Sequence, residues 1–153
     1  MLKIWGREDS SNVQALMWCV GELGLPFERI DAGHRFGLTD SAEFGAMNPN
    51  RTVPVLQDGT LPPLWETGAI LRYLATAYAP ESFWPQDLWA RTEVDRWAEW
   101  AKINIAQGFT TPIFWRVVRT APADKDPRAI RGAVAALEAK LAIAEARLGT
   151  HPY

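Results

Sequence analysis

Residues 2 to 31 change hydrophobic period twice, from 2 to 3.6 and back to 2, and few folds accommodate that order. Leu2-Lys3-Ile4-Trp5 alternates apolar and polar positions and then meets Gly6 and the polar run Arg7-Glu8-Asp9-Ser10-Ser11-Asn12, which reads as a short strand entering a loop. Val13, Leu16, Met17, Val20 and Leu23 then share one helical face until Gly24 and Pro26 stop it. Ser11 with Gln14 three positions later fits a capping box, so the helix is predicted to be capped by Ser11. Phe27-Glu28-Arg29-Ile30-Asp31 alternates again. A strand, a helix and a strand in so short a span predict parallel pairing through a right-handed crossover, which is half of an α/β layer.

Residues 32 to 40 have loop composition, and Ser41 to Met47 reads as a short helix ended by Asn48-Pro49. Thr52-Val53-Pro54-Val55-Leu56 has strand composition, and Asp58-Gly59 followed by Pro63-Leu64-Trp65 predicts a hairpin. Pro54 cannot donate to a ladder, so it belongs at a strand edge or start, where a cis X-Pro bond is tolerated. Thr67 is placed to cap a helix carrying Ile70, Leu71, Leu74 and Tyr78, which Pro80 ends. After an aperiodic stretch the rest reads helical. Asp87 caps a segment with Leu88, Val94, Trp97, Ala98, Ala101 and Ile105 on its apolar side, and Gly108 and Pro112 are expected to bend or break it. Asp126 caps the last helix with Pro127 at its first position, and Ile130, Val134, Leu137, Leu141, Ala144 and Leu148 form its stripe.

Charge and composition exclude several functions. Sixteen Lys and Arg stand against eighteen Asp and Glu, a formal charge of -2, so nothing drives binding to nucleic acid. No apolar run is long enough for a membrane span or signal sequence, and one Cys cannot form an internal disulfide, so a cytoplasmic location is expected. No glycine-rich phosphate loop, nucleophile elbow, zinc-protease motif or C-x-x-C occurs. His34, His151 and Cys19 lack ligand spacing, so no metal is expected.

Two clusters carry chemistry. Ser10, Ser11 and Asn12 stand at the mouth of the first helix, where their plain role is capping. The same place suits an anion, because a helix N-terminus offers free N–H groups and partial positive charge; a thiolate is such an anion, and a hydroxyl donating to sulfur would depress its pKa further. The second cluster is Arg51-Thr52-Val53-Pro54 with Trp65-Glu66-Thr67. Separately, Pro54 shapes a strand and Glu66 favours a helix dipole. Together, a strand edge left open by Pro54 pairs with a peptide backbone, and the Glu66-Thr67 helix start receives a carboxylate and an ammonium. Those groups belong to a small γ-glutamyl peptide.

In this order and spacing, Ser10-Ser11-Asn12-Val13-Gln14, Glu22-Leu23-Gly24-Leu25-Pro26-Phe27-Glu28, Asn48-Pro49-Asn50-Arg51-Thr52-Val53-Pro54-Val55-Leu56 and Trp65-Glu66-Thr67-Gly68-Ala69-Ile70-Leu71-Arg72-Tyr73-Leu74 resemble the cytosolic glutathione S-transferases, of serine-type bacterial kinds (theta-, nu- or beta-like). The resemblance covers essentially the whole chain. It implies an α/β thioredoxin-like glutathione domain over residues 1–78, a linker over 79–87 and part of an all-α domain over 88–153. Carried over, it makes Ser11 the hydroxyl that holds the glutathione thiolate, with Ser10 and Asn12 as alternatives. Val53 before Pro54 would pair with the cysteinyl part, Glu66 and Thr67 would hold the γ-glutamyl end, His34 and Arg51 would approach the glycyl carboxylate, and Thr52 belongs to the same glutathione-binding set. Arg51-Thr52 stands where the family more often has Gly-Lys, and Thr67 where it more often has Ser.

Trp100, Ile103, Asn104, Gln107, Phe109, Phe114 and Trp115 are placed by the resemblance at the wall for an apolar electrophile, although helical spacing of large apolar residues equally marks a core. Cys19 is read as packing, and the loop without cysteine argues against cysteine-type chemistry. The family usually continues through further helices beyond His151-Pro152-Tyr153, so the stripe from Ile130 to Leu148 is expected to lie exposed or against another copy. The implied function is a homodimeric transferase that activates glutathione as a thiolate for attack on an electrophile, in detoxification. The alternative is a non-catalytic glutathione-binding or dimerisation module.

Overall fold

The computed structural model describes residues 1–151. β1 (Leu2–Trp5), α1 (Ser11–Glu22) and β2 (Phe27–Ile30) form the expected unit, with β1 and β2 parallel and Leu2 opposite Phe27. A 3-10 turn at His34–Phe36 and the short α2 (Ala42–Met47) lead to β3 (Val55–Asp58), β4 (Leu64–Trp65) and α3 (Thr67–Tyr78). β3 runs antiparallel to both its neighbours, which gives a mixed sheet of order β2-β1-β3-β4. This is the thioredoxin-like arrangement.

Strand alternation sorts the core into two layers. Leu2 and Ile4 of β1 and Leu56 of β3 meet Leu16, Cys19 and Val20 of α1 and Ile70 and Leu74 of α3. On the other face Trp5 and Val55 pack with Ala32 and with Phe44 of α2. Cys19 is part of the first layer, as its expected packing role requires, and burial raises its thiol pKa.

The expected caps of α1 and α3 need correction by one residue. Ser10, not Ser11, is the N-cap of α1: its backbone is extended (ψ 123°) and its carbonyl accepts the Gln14 N–H at 2.8 Å. Glu66, not Thr67, holds that place in α3, its carbonyl accepting the Ile70 N–H at 2.9 Å. Neither side chain caps the helix it precedes. Elsewhere side chains do cap: Ser41 Oγ accepts the Phe44 N–H, Asp87 Oδ1 the Ala90 N–H, and Asp126 Oδ1 the Arg128 and Ala129 N–H groups.

The chain divides into two compact units, Met1–Arg91 and the part from Thr92 onward. α4 (Leu88–Trp100) does not break at Gly108 or Pro112. It continues through a π-helical stretch at Ala101–Ala106, the single turn α5 (Gln107–Phe109) and a second π-helical stretch at Thr110–Arg119. The wider turn relieves the Pro112 ring of its clash with the carbonyl four residues back, and its missing N–H needs no acceptor. A 3-10 turn at Pro122–Asp124 precedes α6 (Pro127–Leu148).

Among the described residues none after Ala75 is buried. The stripe of α6 splits: Ile130, Leu137 and Ala144 are half-buried against α5 and the π-helical stretches, while Val134, Leu141 and Leu148 are exposed. Arg147 lies over the Trp97 ring at 5.5 Å. No described helix is long and apolar enough to cross a membrane.

Candidate functional site

The site grows out of the end of β1. Gly6 N–H bonds Ile30 O at 2.9 Å and Arg7 N–H bonds Ala32 O at 3.1 Å, extending the β1–β2 connection past the strand before the chain turns into α1. A Cβ on Gly6 would stand 2.5 Å from Val13 Cγ2 and 3.5 Å from Val53 Cβ, so glycine lets three segments converge there. Ser10, the N-cap of the same helix, is only 7% exposed, whereas Ser11 and Asn12 are exposed on the first turn of α1. The first N–H bonded within the helix is that of Gln14, which leaves the N–H groups of Ser11, Asn12 and Val13 without intrahelical acceptors. A helix mouth without a side-chain cap, with a serine at its N-cap, is suited to an anion.

Facing it is the turn from Asn48 to Pro54. Asn48 is 1% exposed, and its side chain builds the turn: Nδ2 donates to Thr52 O at 2.9 Å and Thr52 Oγ1 at 3.3 Å, while Oδ1 accepts the Asn50 N–H at 2.9 Å. The Val53–Pro54 peptide is cis, and Pro54 stands immediately before β3. Among the described residues, neither the N–H nor the C=O of Val53 has a hydrogen-bond partner. Thr52 is fixed by Asn48. The Arg51 guanidinium folds back on α2, with Nη1 donating to Thr39 O at 3.0 Å and Ser41 O at 2.8 Å. Its other end covers Gly45, where a Cβ would stand 2.6 Å from Nη2. Arg51 therefore clamps the loop before α2 and turns those donors inward.

Glu66 is exposed at the start of α3, and Thr67 behind it is buried. His34, Leu38, Arg51 and Glu66 are the non-glycine residues with positive φ among those described. Three of these four belong to the positions the sequence singles out for ligand contact. Such conformations cost about 1–3 kcal/mol each and persist where the surroundings or a function over-determine them.

Other sequence-singled residues lie in the second unit. Trp100 packs edge-on against Trp97 at 5.3 Å between centroids, and Asn104 Nδ2 donates to Trp100 O at 3.1 Å. Phe109 stands 6.2 Å from Phe114. Ile103, Gln107, Phe109 and Trp115 are exposed in this chain.

Comparison with known proteins decides the family. Residues 1–76 match the family model described as "Glutathione S-transferase, N-terminal domain". Glutathione S-transferase GstB of Escherichia coli (strain K12) is 38% identical over 149 residues, which is 97% of this chain and 71% of that protein. The chain belongs to the glutathione S-transferase family. The theta class glutathione S-transferase of Xanthomonas axonopodis pv. citri with glutathione bound superposes with a TM-score of 0.89 at 43% identity, over 99% of this chain and 72% of that one. Glutathione S-transferase I from maize, in complex with an atrazine glutathione conjugate, superposes at 0.86 with 27% identity, over 99% and 71%. This transferase chain thus carries the family's fold from its first strand through α6.

Sequence reasoning missed Asn48 as a builder of the site, having read Asn48-Pro49 as the end of a helix and as part of a shared motif without a role for the Asn48 side chain. An Asn followed by a turn and a strand-edge Pro was the available signal, since Asn side chains satisfy turn N–H groups two residues on. Gly6 was noticed as strand punctuation, yet nothing in the sequence shows which side chains converge on it.

Proposed function

We propose that this chain binds glutathione across the Ser10, Val53 and Glu66–Thr67 segments and holds it as a thiolate for attack on an apolar electrophile. The observation that carries the reading is the unpaired peptide of Val53: a donor and an acceptor just ahead of β3, beside an uncapped helix mouth, fit a peptide ligand aligned as a short strand. Residues 1–78 form the glutathione domain, followed by the linker 79–87 and the helical part 88–153. Among the three candidates at the mouth, Ser10 suits the sulfur best. Ser10 is a buried residue whose hydroxyl is not used as a cap, so it can donate to an anion from a largely enclosed position. Ser11 and Asn12 contribute their backbone N–H groups. Glu66 and Thr67 receive the γ-glutamyl end, and His34 lies toward the glycyl end. Arg51 serves as the clamp of the loop rather than as a direct contact.

In the reaction the thiolate sulfur forms a bond to an electrophilic carbon as that carbon's bond to its leaving group breaks, and the leaving group departs with the electron pair. The thiol proton is released to water beforehand. Nothing covalent passes through the protein, so its contribution is thiolate stabilisation and positioning. On the second unit Ile103, Phe109 and Trp115 present exposed apolar side chains suited to an apolar electrophile, and pairing of two copies covers further apolar surface.

The test is the ultraviolet absorbance of bound thiolate, titrated against pH for the parent chain, Ser10→Ala and Ser11→Ala, with turnover of an aryl halide measured in parallel. A depressed thiol pKa in the parent that Ser10→Ala raises by one unit or more, with glutathione still bound, is the expected result. An unchanged value in Ser10→Ala moves the role to Ser11 or Asn12. Binding without any depression or turnover in the parent leaves a binding module only.

A further inference from the structure

Arg7 lies at this site and the reaction as described gives it no role. Its backbone is fixed on both sides, the N–H on Ala32 O at 3.1 Å and the C=O accepting the Ser10 N–H at 3.3 Å, so its position is tied to that of the buried hydroxyl. Its side chain, 22% exposed, crosses Gly33. A Cβ built on Gly33 would meet Arg7 Nη1 at 3.4 Å and the Val53 methyls at 3.4 and 3.6 Å, so the guanidinium and Val53 share one lip of the opening. Gly33 has a φ of +84°, where a side chain is strained, and the position therefore stays open for Arg7 to lie across it.

The guanidinium belongs to a small cluster of charges. Asp9 Oδ1 is 3.0 Å from Arg7 Nε, and Asp9 Oδ2 is also 3.7 Å from Arg35 Nη1, so one carboxylate serves two cations. Arg35 leans over the Phe36 ring at 4.7 Å on the exposed side. Beneath the loop, Arg29 donates to Gly6 O at 2.8 Å and pairs with Asp31, which closes that pair on itself. His34 adjoins the same turn. Counted with Glu8, which stands between Arg7 and Asp9, the two arginines and two carboxylates balance, so what Arg7 offers is a positive charge placed beside Val53 rather than a net charge on the loop.

We propose that Arg7 is an electrostatic residue of the glutathione site, its guanidinium packed across Gly33 beside Val53 to favour the ligand's negatively charged sulfur, with Asp9 as the counter-charge that limits the effect. The inference rests on the glutathione reading above and adds to it a source of charge independent of the helix mouth and the Ser10 hydroxyl. For scale, a unit positive charge at roughly 7 Å from any thiol shifts its pKa by roughly half a unit to one and a half units, depending on the effective dielectric.

The experiment is the same spectroscopic titration of glutathione bound to the 153-residue chain, run on the parent, Arg7→Gln, Arg7→Lys and Asp9→Asn. Charge at this lip acts with a sign, which bracing of a loop does not. Arg7→Gln raises the bound-thiol pKa by roughly half a unit or more, Arg7→Lys recovers part of the depression, and Asp9→Asn moves it downward. Equal values in the parent and Arg7→Gln overturn the proposal. So do shifts in the same upward direction for Arg7→Gln and Asp9→Asn, since loss of the ion pair would then act by loosening the loop. If Arg7→Gln fails to fold, the lysine and asparagine variants decide on the same criteria. Failure of the parent chain to bind glutathione overturns the underlying reading, and this inference with it.

Discussion

Replacement of Gly6 by alanine tests the convergence on which the site depends. The added Cβ would lie 2.5 Å from Val13 Cγ2, 3.4 Å from Val13 Cγ1 and 3.5 Å from Val53 Cβ. Carbon atoms rest about 3.5–4.0 Å apart, so Val13 must withdraw by about 1 Å. It has nowhere to go, because it is fully buried, and as a β-branched residue on a helix it holds one strongly preferred rotamer. The strain therefore passes to the first turn of α1 and to Val53. Overpacking of this kind costs about 1–3 kcal/mol. Urea denaturation reads the loss as a lower midpoint at unchanged slope, and calorimetric titration reads weaker glutathione binding, since both lips of the opening move. Gly21→Ala is the control: it lies on α1 with nothing within 4 Å of the added carbon, and should stabilise the chain by about 0.5–1 kcal/mol without changing binding. A Gly6→Ala chain as stable and as retentive of glutathione as the parent would refute the convergence.

Asn48→Ala leaves the Asn50 N–H and Thr52 C=O without their partner and should cost about 1–3 kcal/mol in denaturant unfolding while weakening glutathione binding through Val53; loss of stability with unchanged binding would separate the turn from the site. Glu66→Gly removes a side chain from a backbone at φ +71°, so its thermal midpoint should hold or rise while glutathione affinity falls at least tenfold, and a drop in both would show that Glu66 is chiefly structural. Asp58 accepts hydrogen bonds from Tyr78 OH and, at 2.7 Å, from Tyr73 OH, which together hold its pKa below the usual carboxylate value and raise those of the two phenols. Its contribution is intact above the unfolded carboxylate pKa of about 3.9 and lost as pH falls through the folded value; the phenols' contribution is intact below about 10 and lost as pH rises through their folded values. Asp58→Asn should flatten the acid limb of stability against pH, and an unchanged limb in urea titrations at pH 2–5 would contradict the assignment.

The sheet and its helices could be read from the sequence because period and punctuation agree there: Leu2-Lys3-Ile4-Trp5, the face from Val13 to Val20, and the Gly24–Pro26 stop each specify one element locally. Ser10 and Glu66 could not be assigned as N-caps, since a helix start is fixed by which carbonyl accepts the first helical N–H, and adjacent Ser10 and Ser11 offer the same chemistry. The run through Gly108 and Pro112 defeated composition for a different reason, as π-helical turns accommodate a residue that an α-helix would reject. The stripe from Ile130 to Leu148 was periodic enough to predict a helix, but period alone does not fix how wide a neighbour covers it. Half-buried Leu137 and exposed Leu141 satisfy the same pattern.

The positions that sequence reasoning placed one residue off are also those where the chain forgoes a stabilising device it uses elsewhere. Ser41, Asp87 and Asp126 cap their helices with side-chain oxygens, each worth about 1 kcal/mol, whereas Ser10 and Glu66 stand at the caps of α1 and α3 and do not. Glu66 adds a positive φ to the omission. Ordinary folding pressure would fill both mouths, because a capped helix is the more stable one. Leaving them open keeps N–H donors and a buried hydroxyl available to a ligand, and the unpaired peptide of Val53 does the same at the strand. A chain that only needed its fold would have little reason to forgo both side-chain caps and leave the Val53 peptide unpaired in one unit, and a chain that binds a peptide with an anionic sulfur has a reason for each.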